Sequence, residues 1–269
     1  LNDLFDEVLS GHPPVFRYIF YNEANKVCGS INQRFLSFVQ GGLFSDAAAL
    51  VKSFIENADV SSTLNYNLGQ LYNSLGQFRA AFPYAFQAAR QKKDYRDALD
   101  LLGGLYFRIG DFDRSVEYYE RAREQSPEDP VSNFHLALAL KVKGKDVEAE
   151  KLFLEAIRNE NVGLRQEKKA QTEPPKSTLD YSLTIREEAI TFFARMKLGE
   201  IALARREFDQ AGVHFNEAAR MSPKSPEPYY ELARLYSISV QSEKIKYYLG
   251  LYLSLGGDEA KARALLEKK

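Results

Sequence analysis

Residues Arg96 to Asp129 read RDALDLLGGLYFRIGDFDRSVEYYERAREQSPED, and this stretch decides the fold. Leu102, Gly103 and Tyr106 share one face of a first helix, Gly110 and Phe112 mark a turn, and Ser115, Tyr119 and Ala122 share one face of a second helix that Pro127 closes. Spacings of three and four residues are those of a single helical stripe, and proline shortly after a helix end cannot continue it. The stretch is a helical hairpin with an apolar side that a hairpin alone cannot bury, so neighbours must supply the rest of the core.

The neighbours are present in the sequence. Gly69, Gly103 and Ala137 lie 34 residues apart, as do Gly76, Gly110 and Gly144, then Ala81, Ser115 and Ala149, then Ala88, Ala122 and Ala156. A fixed interval of this length between Ser62 and Asn161 predicts stacked helical hairpins. The unit starting at Ser62 carries Leu68, Tyr72 and Phe78 in the same places, but Pro83 near the start of its second helix should kink or shorten that helix. The unit starting at Pro130 carries Leu136, Leu140 and Phe153, with Asp146 where the turn aromatic would be.

The frame extends outward in both directions. Backwards it gives a degenerate unit over 28–61, with Gly42, Phe44, Ala47 and Phe54 in register, and Arg34 and Phe35 where better units have Leu and a small residue. Ser30 with Gln33 has capping-box spacing there. Residues 1–27, broken at Gly11-His12-Pro13-Pro14, read as an N-terminal helical cap. Units over 28–163 are then followed by a polar break, 164–191, whose Thr172-Glu173-Pro174-Pro175-Lys176-Ser177 predicts a solvated arm. Thr184 and Glu187 offer a capping box that would start the next helix early and carry it to Arg205. The frame resumes over 192–259 with Leu198, Gly199, Phe208, Ala211 and Phe215, then Leu232, Ala233 and Tyr236 in a second unit that is degenerate after its turn. Asp258 can cap a closing helix to about Glu267, within which 260–269 is the solvating end.

These positions resemble the tetratricopeptide repeat, with its Leu, small residue and aromatic on the first helix, Gly and an aromatic at the turn, small residues on the second helix and a closing Pro. Six units in frame cover about three-quarters of the chain. The resemblance implies an all-α fold, a right-handed α-solenoid of stacked antiparallel hairpins. Small residues such as Gly103 and Ala149 let paired helices approach, so large substitutions there should overpack by about 1–3 kcal/mol.

Members of that family bind segments of other proteins in the concave groove lined by first helices. Positions i, i+4 and i+7, offset from the packing stripe, should face it. They give Tyr66, Gln70 and Asn73, then Gly104 and Phe107 with Asp100, then Phe134, Leu138 and Lys141, then Met196, Glu200 and Leu203, then Tyr230 and Arg234 with Ser237. Tyr66, Phe107, Phe134 and Tyr230 are aromatic anchors of the kind that dominate protein interfaces, and Gly104 leaves room for a ligand backbone. The competing expectation is that Phe134 and Leu138 are covered by the terminal helices or by the arm. A subclass of the family clamps a chaperone's terminal carboxylate with Lys, Asn and Arg. In the matching places this chain has Tyr66, Gln70, Leu101, Val131 and His135, leaving apolar and amide contacts rather than charge to hold a peptide.

Other function classes find little support. Lys plus Arg number 36 against 37 for Asp plus Glu, so no sequence-wide field draws nucleic acid or an anionic membrane. No run approaches the ~20 apolar residues of a membrane helix. The single Cys28 excludes an intramolecular disulfide. His12, His135 and His214 are scattered, and no phosphate loop, dinucleotide fingerprint or nucleophile elbow occurs. We therefore expect no catalytic or metal residues and no cofactor, and a protein-interaction scaffold whose partner is another protein or peptide. The alternatives are a self-assembling or cell-envelope complex subunit, and the docking region of a larger enzyme. The start at Leu1 suggests a piece of a longer secreted or anchored chain, and localisation stays open between cytoplasm and periplasm.

Overall fold

The protein is described here by a computed structural model over residues 34–55 (apart from 36 and 40), 62–170, 188–238 and 241–267. The elements in chain order are α1 (Phe44–Ile55), α2 (Ser62–Ser74), α3 (Phe78–Gln91), α4 (Arg96–Arg108), α5 (Phe112–Gln125), α6 (Pro130–Val142), α7 (Asp146–Ala170), α8 (Glu188–Ala204), α9 (Phe208–Met221), α10 (Glu227–Ile238), α11 (Ser242–Ser254) and α12 (Glu259–Glu267). The cap expected over 1–27, the capping box at Ser30 and that at Thr184 lie outside the described residues.

The turns explain the hairpins. Gly110 takes φ +82°, the Gly110 amide donates to Phe107 O at 3.1 Å and the Asp111 amide to Tyr106 O at 3.0 Å. Only a left-handed residue allows this double closure of a helix end, hence glycine. At the same repeat position after α8 stands Arg206, left-handed at φ 62° with the Glu207 amide on Ala202 O at 2.9 Å, so the turn geometry overrides residue preference there. α5 and α6 begin on aspartate caps: Asp111 accepts from the Arg114 amide and Asp129 from the Ser132 amide, with Pro130 at the first helical position.

In three hairpins a glycine on the first helix meets the residue sixteen places on. Gly103 faces Tyr119 and Gly199 faces Phe215. At Gly69 the partner is Ala85, and an added Cβ would lie 3.4 Å from the Ala85 nitrogen, so there the helix backbones themselves approach. A second regularity joins tyrosines: Tyr72 stacks on Tyr84 (5.6 Å, 13°), Tyr106 on Tyr118 (5.4 Å, 12°) and Tyr236 on Tyr248 (5.5 Å, 4°), in the same places of three units.

Two local expectations are corrected. α3 runs 14 residues with Pro83 inside it, as long as α5 and α9, so the proline does not shorten it. At the sixth position the proline removes one intrahelical bond, that to Arg79 O, and the rest of the helix carries on past it. The polar break does not begin at Leu164, because α7 continues to Ala170. Its Arg, Gln, Glu, Lys and Ala are good helix formers, and propensity carries the helix beyond the repeat frame.

The core is continuous across the break. One buried cluster runs from Phe107 on α4 through Phe134, Leu138 and Phe153 to Ile190, Leu198 and Ile201 on α8. Buried Glu160 of α7 accepts the Thr191 amide at 2.7 Å and the Thr191 hydroxyl, fixing the start of α8 against the preceding hairpin. Hairpins therefore stack in sequence from α2 to α11, with α12 packed on α10 and α11.

Candidate functional site

First helices contact one another along the stack, α2 with α4, α4 with α6, α6 with α8 and α10 with α12, whereas no comparable contact joins the second helices. The first helices thus lie on the inner side of the curve. The inner series is sparsest at one step, where α8 and α10 meet less closely than the other first-helix pairs. The side chains facing that step, Met196 and Glu200 on α8 and Tyr230 and Arg234 on α10, are all large. Between them opens a cleft of about 570 Å³ that α6 also borders through Lys141 and α12 through Lys261.

The structure divides the expected groove residues into two groups. Tyr66, Phe107 and Phe134 are 2%, 4% and 5% exposed, and Leu138 is equally buried. These are core residues, which corrects their expected role as accessible anchors. The seam they occupy is closed by direct contact between successive first helices. Phe134 packs on Phe153 at 5.6 Å and Phe107 on Phe112 at 5.3 Å, so among the described residues the central hairpins cover them. Gln70 and Asn73 join a chain of bonds along α2: Gln70 donates to the Tyr66 hydroxyl at 2.9 Å and Asn73 donates to Gln70 at 3.4 Å. Burial first, then nearby Asp97, push the Tyr66 phenol well above its ordinary value. At Gly104 an added Cβ would lie 3.3 Å from the Tyr119 hydroxyl, so the gap is already filled by a neighbour. Across the same seam Asp100 of α4 pairs with His135 of α6 at 3.0 Å.

Lys141, Tyr230 and Arg234 form the second group, and they line the cleft together. Tyr230 packs beside Tyr252 at 5.2 Å with the Lys261 ammonium 5.3 Å from its ring centre. Lys141 and Lys197 converge on one carboxylate, Glu200, at 3.3 and 2.6 Å. Arg234 pairs with Glu231 at 3.1 Å, and burial raises the Glu231 pKa above its ordinary value. Phe192, Phe193 and Met196 supply an apolar wall. Lys197, Glu231, Tyr252 and Lys261 escaped the sequence reading because they belong to different helices and lie off the i, i+4, i+7 stripe. The one available signal was the Lys197–Glu200 spacing, which is common on helix surfaces.

Among the described residues no cluster of three or more His, Cys, Asp or Glu could hold a metal ion, and no helix is long and apolar enough to cross a membrane.

The family described as tetratricopeptide repeat matches residues 32–100 and 101–161. A stretch of 86 residues is 34% identical to human protein O-mannosyl-transferase TMTC1; it is 32% of this chain, and the chain spans only 10% of that protein. The fold is similar to that of PilF of Pseudomonas aeruginosa, with TM-score 0.68 and 13% identity over 89% of this chain and 96% of PilF. It is similar also to a chain of the APC/C Cut9–Hcn1 hetero-tetramer, with TM-score 0.67 and 14% identity over 99% of this chain and 45% of that one. A third likeness is to YrrB, described as having an unusual peptide-binding site, with TM-score 0.53 and 16% identity over 81% and 97% of the two chains.

Proposed function

Given that the chain is a tetratricopeptide-repeat protein, we propose that it is a non-enzymatic scaffold that holds a segment of a partner protein in the cleft between α8 and α10. The observation that carries this reading is the cleft at the sparsest step of the inner helix series, where aromatic, apolar and charged side chains face a common space of about 570 Å³. That size suits a few side chains of an extended segment, and such mixed concave sites are where ligands are generally held. The remainder of the inner seam, from Tyr66 to Leu138, serves as core in this reading and stiffens the frame that presents the cleft.

Selection of a phage-displayed random peptide library on the purified chain tests the proposal. Enriched peptides should lose most of their affinity for the Tyr230→Ala and Arg234→Ala variants while the variants stay folded by circular dichroism. Absence of any enriched peptide, or peptides indifferent to both substitutions, would remove the cleft from the account.

The similarity to the transferase TMTC1 supports a second reading, in which this chain is the repeat region of a larger enzyme. Sequencing the whole gene decides it: a catalytic domain joined to these repeats supports that reading, and a gene that ends with them excludes it.

A further inference from the structure

We infer that the outer face of α3, a surface apart from the cleft, docks a short extended segment of a partner protein, with two carboxylates about five residues apart and an apolar residue between them. Arg79, Pro83, Phe86 and Arg90 follow one another at intervals of four, three and four residues, so they share one side of the helix, and all four are exposed. The charge on this side has one sign. Between Asp59 and Asp94 the chain has no Asp or Glu, while it carries Arg79, Arg90, Lys92 and Lys93. Among the described residues no carboxylate pairs with Arg79 or Arg90. Along the edge that α5 contributes, charges offset one another: Arg114 and Arg121 lie 5.5 and 5.1 Å from the ring centres of Tyr106 and Tyr118, against Asp111, which holds Arg114 at 3.4 Å, and Glu117 beside Tyr118. Arg79 and Arg90 therefore supply the net charge. Between them lies an aromatic floor, where Phe86, 40% exposed, stands edge-on to Tyr106 and Tyr118 at 6.4 and 6.3 Å, and Phe82 edge-on to Tyr106 at 5.1 Å. The two arginines are eleven residues apart on the helix, about 16 Å along its axis, which is the length of about five residues of extended chain. A nucleic acid fits less well. Tyr106 and Tyr118 stack on each other and under the two α5 arginines, leaving no platform for a base. The next hairpin, Arg96 to Asp129, carries nine carboxylates against five cations and repels a phosphate chain that continues beyond α3.

The test reads fluorescein-labelled peptide pools of one length by fluorescence anisotropy. One pool has Asp or Glu at positions i and i+5 with Leu, Ile or Phe between them, a second has Asn or Gln in place of the acids, and a third has the two acids adjacent. A single-stranded oligonucleotide is the fourth probe. The first pool should bind about tenfold tighter than the other two, weaken as salt rises, and lose that advantage in Arg79→Gln and in Arg90→Gln. Both arginines are exposed and outside the ion pairs of the fold, so their replacement leaves folding intact. Tyr230→Ala should leave this binding unchanged, which separates it from capture in the cleft. Equal binding of the amide pool or of the adjacent-acid pool overturns the inference, as does acidic binding that ignores both arginine substitutions. Acidic binding lost in Tyr230→Ala and kept in Arg79→Gln belongs to the cleft and overturns it too. Preference for the oligonucleotide, or binding of no probe, does the same.

Discussion

The ring of Tyr119 occupies the space into which a side chain on Gly103 would project: a Cβ built there would lie 2.6 Å from Tyr119 Cδ1. Phe215 stands in the same relation to Gly199, so two hairpins rest on the same device. Gly103→Ala should destabilise the fold by about 1–3 kcal/mol through overpacking. Gly250, inside α11 with nothing within 4 Å of an added Cβ, should respond in the opposite direction, gaining about 0.5–1 kcal/mol as alanine. Urea unfolding of the two single variants checks both signs.

Arg206 holds a left-handed conformation at a position where other turns place glycine. Arg206→Gly should raise stability by about 0.5–1 kcal/mol, since relief of a left-handed backbone outweighs glycine's greater freedom in the unfolded chain. An unchanged or lower urea midpoint would show that the arginine side chain contributes contacts worth more than the strain.

Tyr66, Phe107 and Phe134 behave as core. Each replaced by alanine should lose about 3–5 kcal/mol, and the triple variant should fail to fold. Tyr230→Ala, at a half-buried ring, should lose only about 1–2 kcal/mol while abolishing peptide capture. Thermal melts run beside the binding assay separate the two groups.

Glu231 gives the cleft a pH signature. Burial, outweighing the attraction of Arg234, raises its folded pKa above the ordinary 4.5. The folded state therefore disfavours the ionised form more than the unfolded chain does. The resulting penalty is absent below the unfolded pKa and grows as pH rises through the folded one. Glu231→Gln should thus raise the urea midpoint at about pH 7 and leave it unchanged near pH 4. Arg234 is 42% exposed, so its charge stays hydrated when its partner is removed. A larger gain at the acidic pH would contradict the assignment.

Much of the architecture was legible before any coordinates. The interval linking Gly76, Gly110 and Gly144 carries the turn geometry, because a double closure of a helix end needs a left-handed residue and glycine adopts it freely. Gly103 and Gly199 carry the helix approach for an equally local reason. Pro83 and Leu164 misled because each was judged by residue type alone: one lost backbone bond does not end a helix whose other bonds and packing persist, and a polar run of good helix formers extends one.

The site was legible only in part. Lys141, Tyr230 and Arg234 fell on the inner stripe and line the cleft, whereas Tyr66, Phe107, Phe134 and Leu138 fell on the same stripe and are buried. Helical periodicity fixes which side of its own helix a residue occupies, and it is blind to how far the next first helix stands away. By itself the sequence determined the hairpins, their order and the inner face, since these follow from local backbone preferences and from apolar spacing repeated unit after unit. The tertiary structure alone decided that the inner face closes between α2 and α8 and opens between α8 and α10. That outcome depends on how side chains of different units meet across a seam, from Asp100 paired with His135 where the face is closed to Met196, Glu200, Tyr230 and Arg234 around the cleft.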